Sequence, residues 1–144
     1  MGKTKIIKPK TDEAKVEAPA KSSGKSQKRK VESGRVYISA SYNNTIISIT
    51  DSRGAVIAWA TAGSLGFSGP KKATPFAASK VVAALAEKVE KTGPVNVEVY
   101  VSGVGGGRDS AVRSLLNHNF NIVSIKDVTP IPHNGPKSPK VRRV

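Results

Sequence analysis

Val95-Asn96-Val97-Glu98-Val99-Tyr100-Val101-Ser102-Gly103-Val104-Gly105-Gly106-Gly107-Arg108-Asp109 is the stretch that decides the fold. Valine at every second position from Val95 to Val101 has the period of a strand with one buried face. Glycines end that strand. A short helix from about Ser110 to His118 follows, with Val112, Leu115 and Leu116 at helical spacing and expected to point inward. Phe120 to Lys126 then returns as another strand. Strand, glycine loop, helix and strand in succession are the units of an α/β fold with parallel pairing.

Working upstream, Gly93-Pro94 reads as the end of an earlier helix, with a C′ glycine and a following proline. That helix begins at Thr74, an N-cap, with Pro75 at its first position. Ala78, Val81, Val82, Leu85 and Val89 fall on its inner face, and Glu87 and Lys91 are spaced to pair one turn apart. Before it lie three strand signals: Val36, Ile38 and Ala40 in alternation, the β-branched run Thr45 to Thr50, and Ala55 to Thr61. Asn43-Asn44 breaks the first from the second. Asp51-Ser52-Arg53-Gly54 turns the second into the third. These three predict an antiparallel meander. The whole predicts a mixed five-stranded sheet with flanking helices and right-handed crossovers.

The chain has 144 residues, 24 Lys plus Arg and 10 Asp plus Glu, for a formal net charge of +14. The charge is unevenly placed. Residues 1–33 hold ten basic and four acidic residues, 34–127 ten and six, and 128–144 four and none. This divides the chain into a basic N-terminal extension (1–33), an α/β core (34–127) and a Pro-rich basic C-terminal tail (128–144). Neither flank can bury a core, so both are expected to be disordered in isolation. Pro130, Pro132, Pro136 and Pro139 hold the second one extended. No run of about 18 apolar residues exists to span a bilayer, and the Lys-rich start lacks the apolar region of a signal peptide. The absence of cysteine removes disulfides, thiolate metal sites and cysteine nucleophiles.

An excess of cations points to phosphate. Gly103 to Asp109 lies between a strand and a helix, where backbone N–H groups and the helix dipole favour an anion. Gly105, Gly106 and Gly107 admit a close approach, and Arg108 adds a charged fork. The loop is not a dinucleotide fingerprint, since Arg108 stands where the last glycine belongs, and it lacks the Gly-Lys-Ser/Thr of a phosphate loop. The loop from Gly63 to Lys72 follows the same logic, with Gly66 for close approach, Lys71 and Lys72 for charge, and Phe67 either stacking on a base or covering the core edge. Asn43 and Asn44 can bond sugar or phosphate. Arg53 in the hairpin turn, Arg113 on the second helix, and His133, Asn134, Lys137, Lys140, Arg142 and Arg143 in the tail complete the candidate set.

The core carboxylates are Asp51, Glu87, Glu90, Glu98, Asp109 and Asp127. Their spread along the chain does not suggest the converging cluster that metal-dependent phosphoryl chemistry requires. Two histidines, His118 and His133, are too few for a metal site. The residues therefore point to a binding protein with no catalytic residue, metal or cofactor. A metal-dependent nuclease and a basic DNA-binding protein are the rival readings.

Several segments resemble the small-subunit ribosomal protein eleven family in its bacterial or organellar form. They are Ala40 to Thr45, Trp59 to Gly63, Thr74 to Ala78, Gly103 to Arg108, Asp127 to Gly135 and Val141 to Val144, in family order over roughly residues 34–144. The resemblance implies a ribonuclease-H-like sheet without nuclease activity. It also implies a cytoplasmic or organellar ribosome, binding to small-subunit (16S-type) rRNA on the platform near the messenger, and ribosomal proteins eighteen, twenty-one and seven as neighbours. By the same resemblance the Asn43-Asn44 turn, both glycine loops and the tail carry rRNA contacts. Three features depart from the family pattern: Val104 where the loop usually has proline, a tail with fewer arginines and no cysteine, and a longer N-terminal extension.

Overall fold

The computed structural model describes residues 31–90 and 92–142. The basic extension up to Lys30, the Glu87–Lys91 pair and Arg143 lie outside the described residues. Three strands, β1 (Ser33–Ala40), β2 (Thr45–Asp51) and β3 (Val56–Thr61), form the antiparallel meander. Helix α1 (Pro75–Val89) then carries the chain across the meander to the free edge of β1. There β4 (Asn96–Ser102) pairs parallel with β1. Helix α2 (Gly107–Asn117) and β5 (Asn121–Asp127) follow, β5 parallel to β4. The order is β3-β2-β1-β4-β5, the mixed α/β sheet expected from the sequence.

Both helices pack on one face of the sheet and against each other. Alternation puts Val36, Ile38, Ile47, Ile49, Val97, Val99 and Val101 on that face, none more than 2% exposed. Val81, Val82 and Leu85 of α1 and Leu115 of α2 meet them from above. Each such aliphatic side chain contributes about 1.5–3 kcal/mol relative to an exposed one, so this layer supplies most of the driving force. The helix start is as the sequence dictates: the Thr74 hydroxyl accepts from the Ala77 N–H at 3.2 Å, and Pro75 follows it.

Two local readings need correction. Helix α2 begins at Gly107, three residues before Ser110, and this sets a different inner stripe: Gly107, Ala111, Ser114 and Leu115 are buried. Leu116, expected inside, is 56% exposed. It lies one residue beyond Leu115, about 100° farther round the helix. The end of α1 also differs. The helix stops at Val89, and Gly93 closes it by donating its N–H to the Val89 carbonyl at 2.6 Å, without a left-handed φ.

The topology sorts the loops to two ends. Strands β1, β4 and β5 finish at one end, together with the β1–β2 turn, the β3–α1 loop and the N-termini of both helices. Residue 128 and the tail leave from that end too. The β2–β3 turn and the C-termini of both helices lie at the other.

Candidate nucleic-acid interface

In open α/β sheets the carboxyl ends of parallel strands are where ligands bind, since loops and helix N-termini meet there. That end of this molecule gathers nearly all of the candidate residues. The β1–β2 turn is held by Ser41, whose hydroxyl accepts from the N–H groups of Asn43 and Asn44 at 3.4 and 3.0 Å. The side-chain carbonyl of Asn44 accepts from the Thr45 N–H at 3.0 Å. Asn43 and its neighbour Tyr42 (77% exposed) form the tip.

Between β3 and α1 the chain makes two short 3₁₀ turns, Gly63–Leu65 and Gly69–Ala73. Gly66 sits between them with φ +87°. Lys71 is exposed and Lys72 half-buried, both just ahead of the α1 N-terminus. Phe67 packs partly on the core and meets Phe76 edge to face at 6.1 Å. The ring therefore covers the core edge. Phe76, which the sequence reading did not single out, is the exposed aromatic here, with the Lys80 ammonium 5.6 Å from its centre.

The β4–α2 loop is shaped by the chain's own backbone. A Cβ on Gly103, whose φ is +90°, would lie 2.2 Å from the Ala40 carbonyl oxygen, and one on Gly105 2.2 Å from that of Ser41. Gly105 in turn donates its N–H to Ala40 at 2.8 Å. Gly105 and Gly107 are buried, so they fit the loop against β1 and α1 and leave Val104 and Gly106 as its exposed surface.

Arg108 is half engaged inside the protein. It donates to the Gly103 carbonyl at 3.0 Å and to the Asp127 carboxylate at 2.7 Å. Asp127 also accepts from the Thr129 N–H and hydroxyl at 2.9 and 2.6 Å, and the Thr129 hydroxyl accepts from the Gly103 N–H at 3.2 Å. The result is a closed ring, Gly103–Thr129–Asp127–Arg108, that ties the loop to the root of the tail. Asp127 and Thr129 are candidate positions outside the set read from the sequence, brought to the site by this ring. Their signal was present: an Asp followed two residues later by an amide it can accept from is an Asx turn.

The hydrogen bonds of the Thr129 hydroxyl, then the Arg108 guanidinium, then the Thr129 N–H, hold the Asp127 carboxyl well below the usual carboxylate range. A depressed carboxylate stabilises the fold fully above about pH 4 and loses that contribution as pH falls through the folded value. Urea midpoints of the wild type and of Asp127→Asn should therefore differ at pH 7 and converge below about pH 4. A gap that stays constant down to pH 2.5 would show the ring is uncoupled from folding.

His133, Asn134, Lys137, Lys140 and Arg142 follow on the exposed tail. Arg113 is exposed on the second turn of α2. Arg53 is the exception, since the β2–β3 turn puts it at the far end of the sheet, beside Asp51, whose carboxylate accepts its N–H at 2.8 Å. The acidic residues divide similarly. Glu87 and Glu90 lie near the C-terminus of α1 at that far end, whereas at the loop end Asp127 is paired within the ring and Asp109 is exposed in the first turn of α2, outnumbered there by Lys71, Lys72, Arg108 and the tail cations. Charge is thus polarised along the strands, positive at the loop end. Among the described residues no helix is long and apolar enough to cross a membrane.

A family model described as "Ribosomal protein S11" matches residues 34–143. Among curated proteins, the chain is 53% identical over 124 residues to a small ribosomal subunit protein uS11 of Solibacter usitatus, covering 86% of this chain and 92% of that one. It is 52% identical over 127 residues to the protein of that name from Synechococcus sp., and 50% identical to that from Alteromonas mediterranea, covering 88% of this chain and 98% of each. The match includes every loop gathered at the carboxyl end of the sheet as well as the tail that leaves it, and the chain belongs to the ribosomal protein S11 family.

Proposed function

We propose that this protein is a structural constituent of the small ribosomal subunit that binds small-subunit (16S-type) rRNA, and that it has no catalytic activity. The observation that carries this reading is the convergence at one end of the sheet: two helix N-termini, two glycine-shaped loops, Lys71, Lys72, Arg108 and a tail with Lys137, Lys140 and Arg142. Helix N-termini and exposed N–H groups suit phosphate oxygens. The ring through Asp127 aims the tail outward from the same surface. The relatives are named as small ribosomal subunit proteins, which supports folded rRNA as the anion. By the family resemblance the position is the platform near the messenger, beside ribosomal proteins eighteen, twenty-one and seven. Assembly and translation are then its contribution, in the ribosome of the cytoplasm or an organelle.

Phosphate contacts make such binding strongly salt-dependent. Truncating residues 134–144 should lower the slope of log affinity against log salt by about 0.7–0.9 per lost contact, on a fragment of small-subunit rRNA. Removing residues 1–30 should weaken binding less, because β1, which follows them in the chain, begins at the far end of the sheet. A titration giving the reverse order would move the principal contact to the extension. The rival partner, duplex DNA, should bind more weakly than structured rRNA at matched salt. Equal affinity would reduce the interface to bulk charge.

A further inference from the structure

The face of the sheet that the helices leave open carries a row of side chains across all five strands. Trp59 pairs in register with Ser48, Ser48 with Tyr37, Tyr37 with Tyr100, and Tyr100 with Lys126. Tyr37 and Tyr100 stack, their ring centres 5.1 Å apart and their planes 20° from parallel. That is close to the spacing of adjacent strands, about 4.8 Å. Lys126 continues the stack, its ammonium 5.2 Å from the Tyr100 ring centre. On the other side of Tyr37 the row is interrupted, because β2 supplies a serine and no ring. Trp59, 59% exposed, stands two strands from Tyr37, a separation of about 10 Å. A planar group touching a ring on each side needs about 7–8 Å. The Ser48 position is a break in the aromatic row wide enough to admit one planar ring.

We infer that this gap receives an unpaired RNA base, stacked between Tyr37 and Trp59 above Ser48. The inference rests on the rRNA-binding reading for the class of partner but uses a different surface, the open face and not the loop end. Unpaired bases are recognised by stacking on aromatic rings and by hydrogen bonds to their edges, and the Ser48 hydroxyl can both donate and accept. Charge favours the same occupant. The Glu98 carboxylate accepts from the Tyr100 hydroxyl at 2.9 Å and lies 3.9 Å from Arg35 and 3.7 Å from Lys126. Two cations around one carboxylate leave the face net positive. Such a face attracts a phosphate backbone. Ser39, Ser48 and Ser102 beside the rings suit a nucleotide better than an apolar protein segment.

Trp59 is the only tryptophan in the chain, so its fluorescence reports on the gap. Titrating the full chain with a single-stranded oligoadenylate heptamer should quench Trp59 saturably, and a fully paired RNA hairpin should not. Ser48→Phe fills the gap with a ring of the protein's own and should weaken heptamer binding about tenfold, the worth of one stacked base. Tyr37→Ala, at an exposed position, should weaken it similarly if the first variant misfolds. Arg108→Glu should leave the quenching intact while weakening rRNA binding, so wild-type rRNA binding by that variant with the quenching intact overturns the loop-end interface and not this one. An unquenched Trp59, or a heptamer bound equally well by both open-face variants, overturns the inference. So does a base-free protein contact on Trp59 in assembled subunits.

Discussion

Gly103→Ala should destabilise the fold by about 3 kcal/mol, the largest stability effect expected of a methyl group added to any of the described glycines. Two costs add. The residue holds φ +90°, and its Cβ would lie 2.2 Å from the Ala40 carbonyl oxygen, a backbone atom that cannot swing aside. Left-handed backbone costs a non-glycine residue about 1–2 kcal/mol, and overpacking about 1–3 kcal/mol. Gly54→Ala is the internal control. Its φ is +93° but a Cβ there meets nothing within 4 Å, so only the conformational cost of about 1 kcal/mol applies. Urea denaturation of both variants measures the difference. Equal midpoints would mean that β1 yields and that the loop is not braced against it. Because the loop end is the proposed rRNA surface, Gly103→Ala should also weaken rRNA binding, whereas Gly54→Ala at the opposite end should not.

Arg108→Glu should weaken rRNA binding by about tenfold to a hundredfold, the range for losing a hydrogen bond to a charged group and adding a repulsion. The side chain offers two routes to that loss, and Asp127→Asn separates them. If Arg108 touches phosphate directly, freeing it from Asp127 leaves binding unchanged or stronger, and Arg108→Glu lowers the salt slope by about one contact. If Arg108 acts by fixing the tail root through Gly103, Asp127 and Thr129, Asp127→Asn weakens binding in parallel and the slope stays put. The geometry predicts the second pattern, with Arg108 as a positioning residue, because two of its nitrogens are already bonded within the protein. An exposed ion pair contributes little to stability, so neither variant should unfold. Binding at wild-type strength by both variants would remove the ring from the interface altogether.

Much of the fold was legible because its elements are locally consistent. The alternation in Val95 to Val101, the β-branched run Thr45 to Thr50 and the Thr74-Pro75 start each specify one conformation, and each forms. Legibility failed where a neighbour in space sets the phase. Of the expected stripe Val112, Leu115 and Leu116, Leu115 is buried and Val112 packs against the core, yet Gly107 against Thr45 and Ala78 turns the inner face toward Ala111 and Ser114 and leaves Leu116 outside. Phe67 was readable only as either a stacking ring or a core cover, and the structure shows it packed partly on the core and edge to face with Phe76. The glycines of the second loop read as room for a ligand, whereas Gly105 and Gly107 make room for the chain itself.

By itself, the sequence determined which segments are strands and helices, how the charge is distributed, and to which family the chain belongs. These follow from periodicity, capping and motif order, all properties of neighbours along the chain. Only the tertiary structure decided which candidate residues share a surface. The crossover of α1 to the free edge of β1 sets β4 and β5 parallel to β1, and that direction sends both glycine loops, both helix N-termini and the tail to one end while leaving Arg53 at the other. It also aligned Trp59, Ser48, Tyr37, Tyr100 and Lys126 in one row, residues spread from position 37 to 126 that no local pattern connects. Strand register is fixed by burial of the opposite face, so the open row is a consequence of how the core packs.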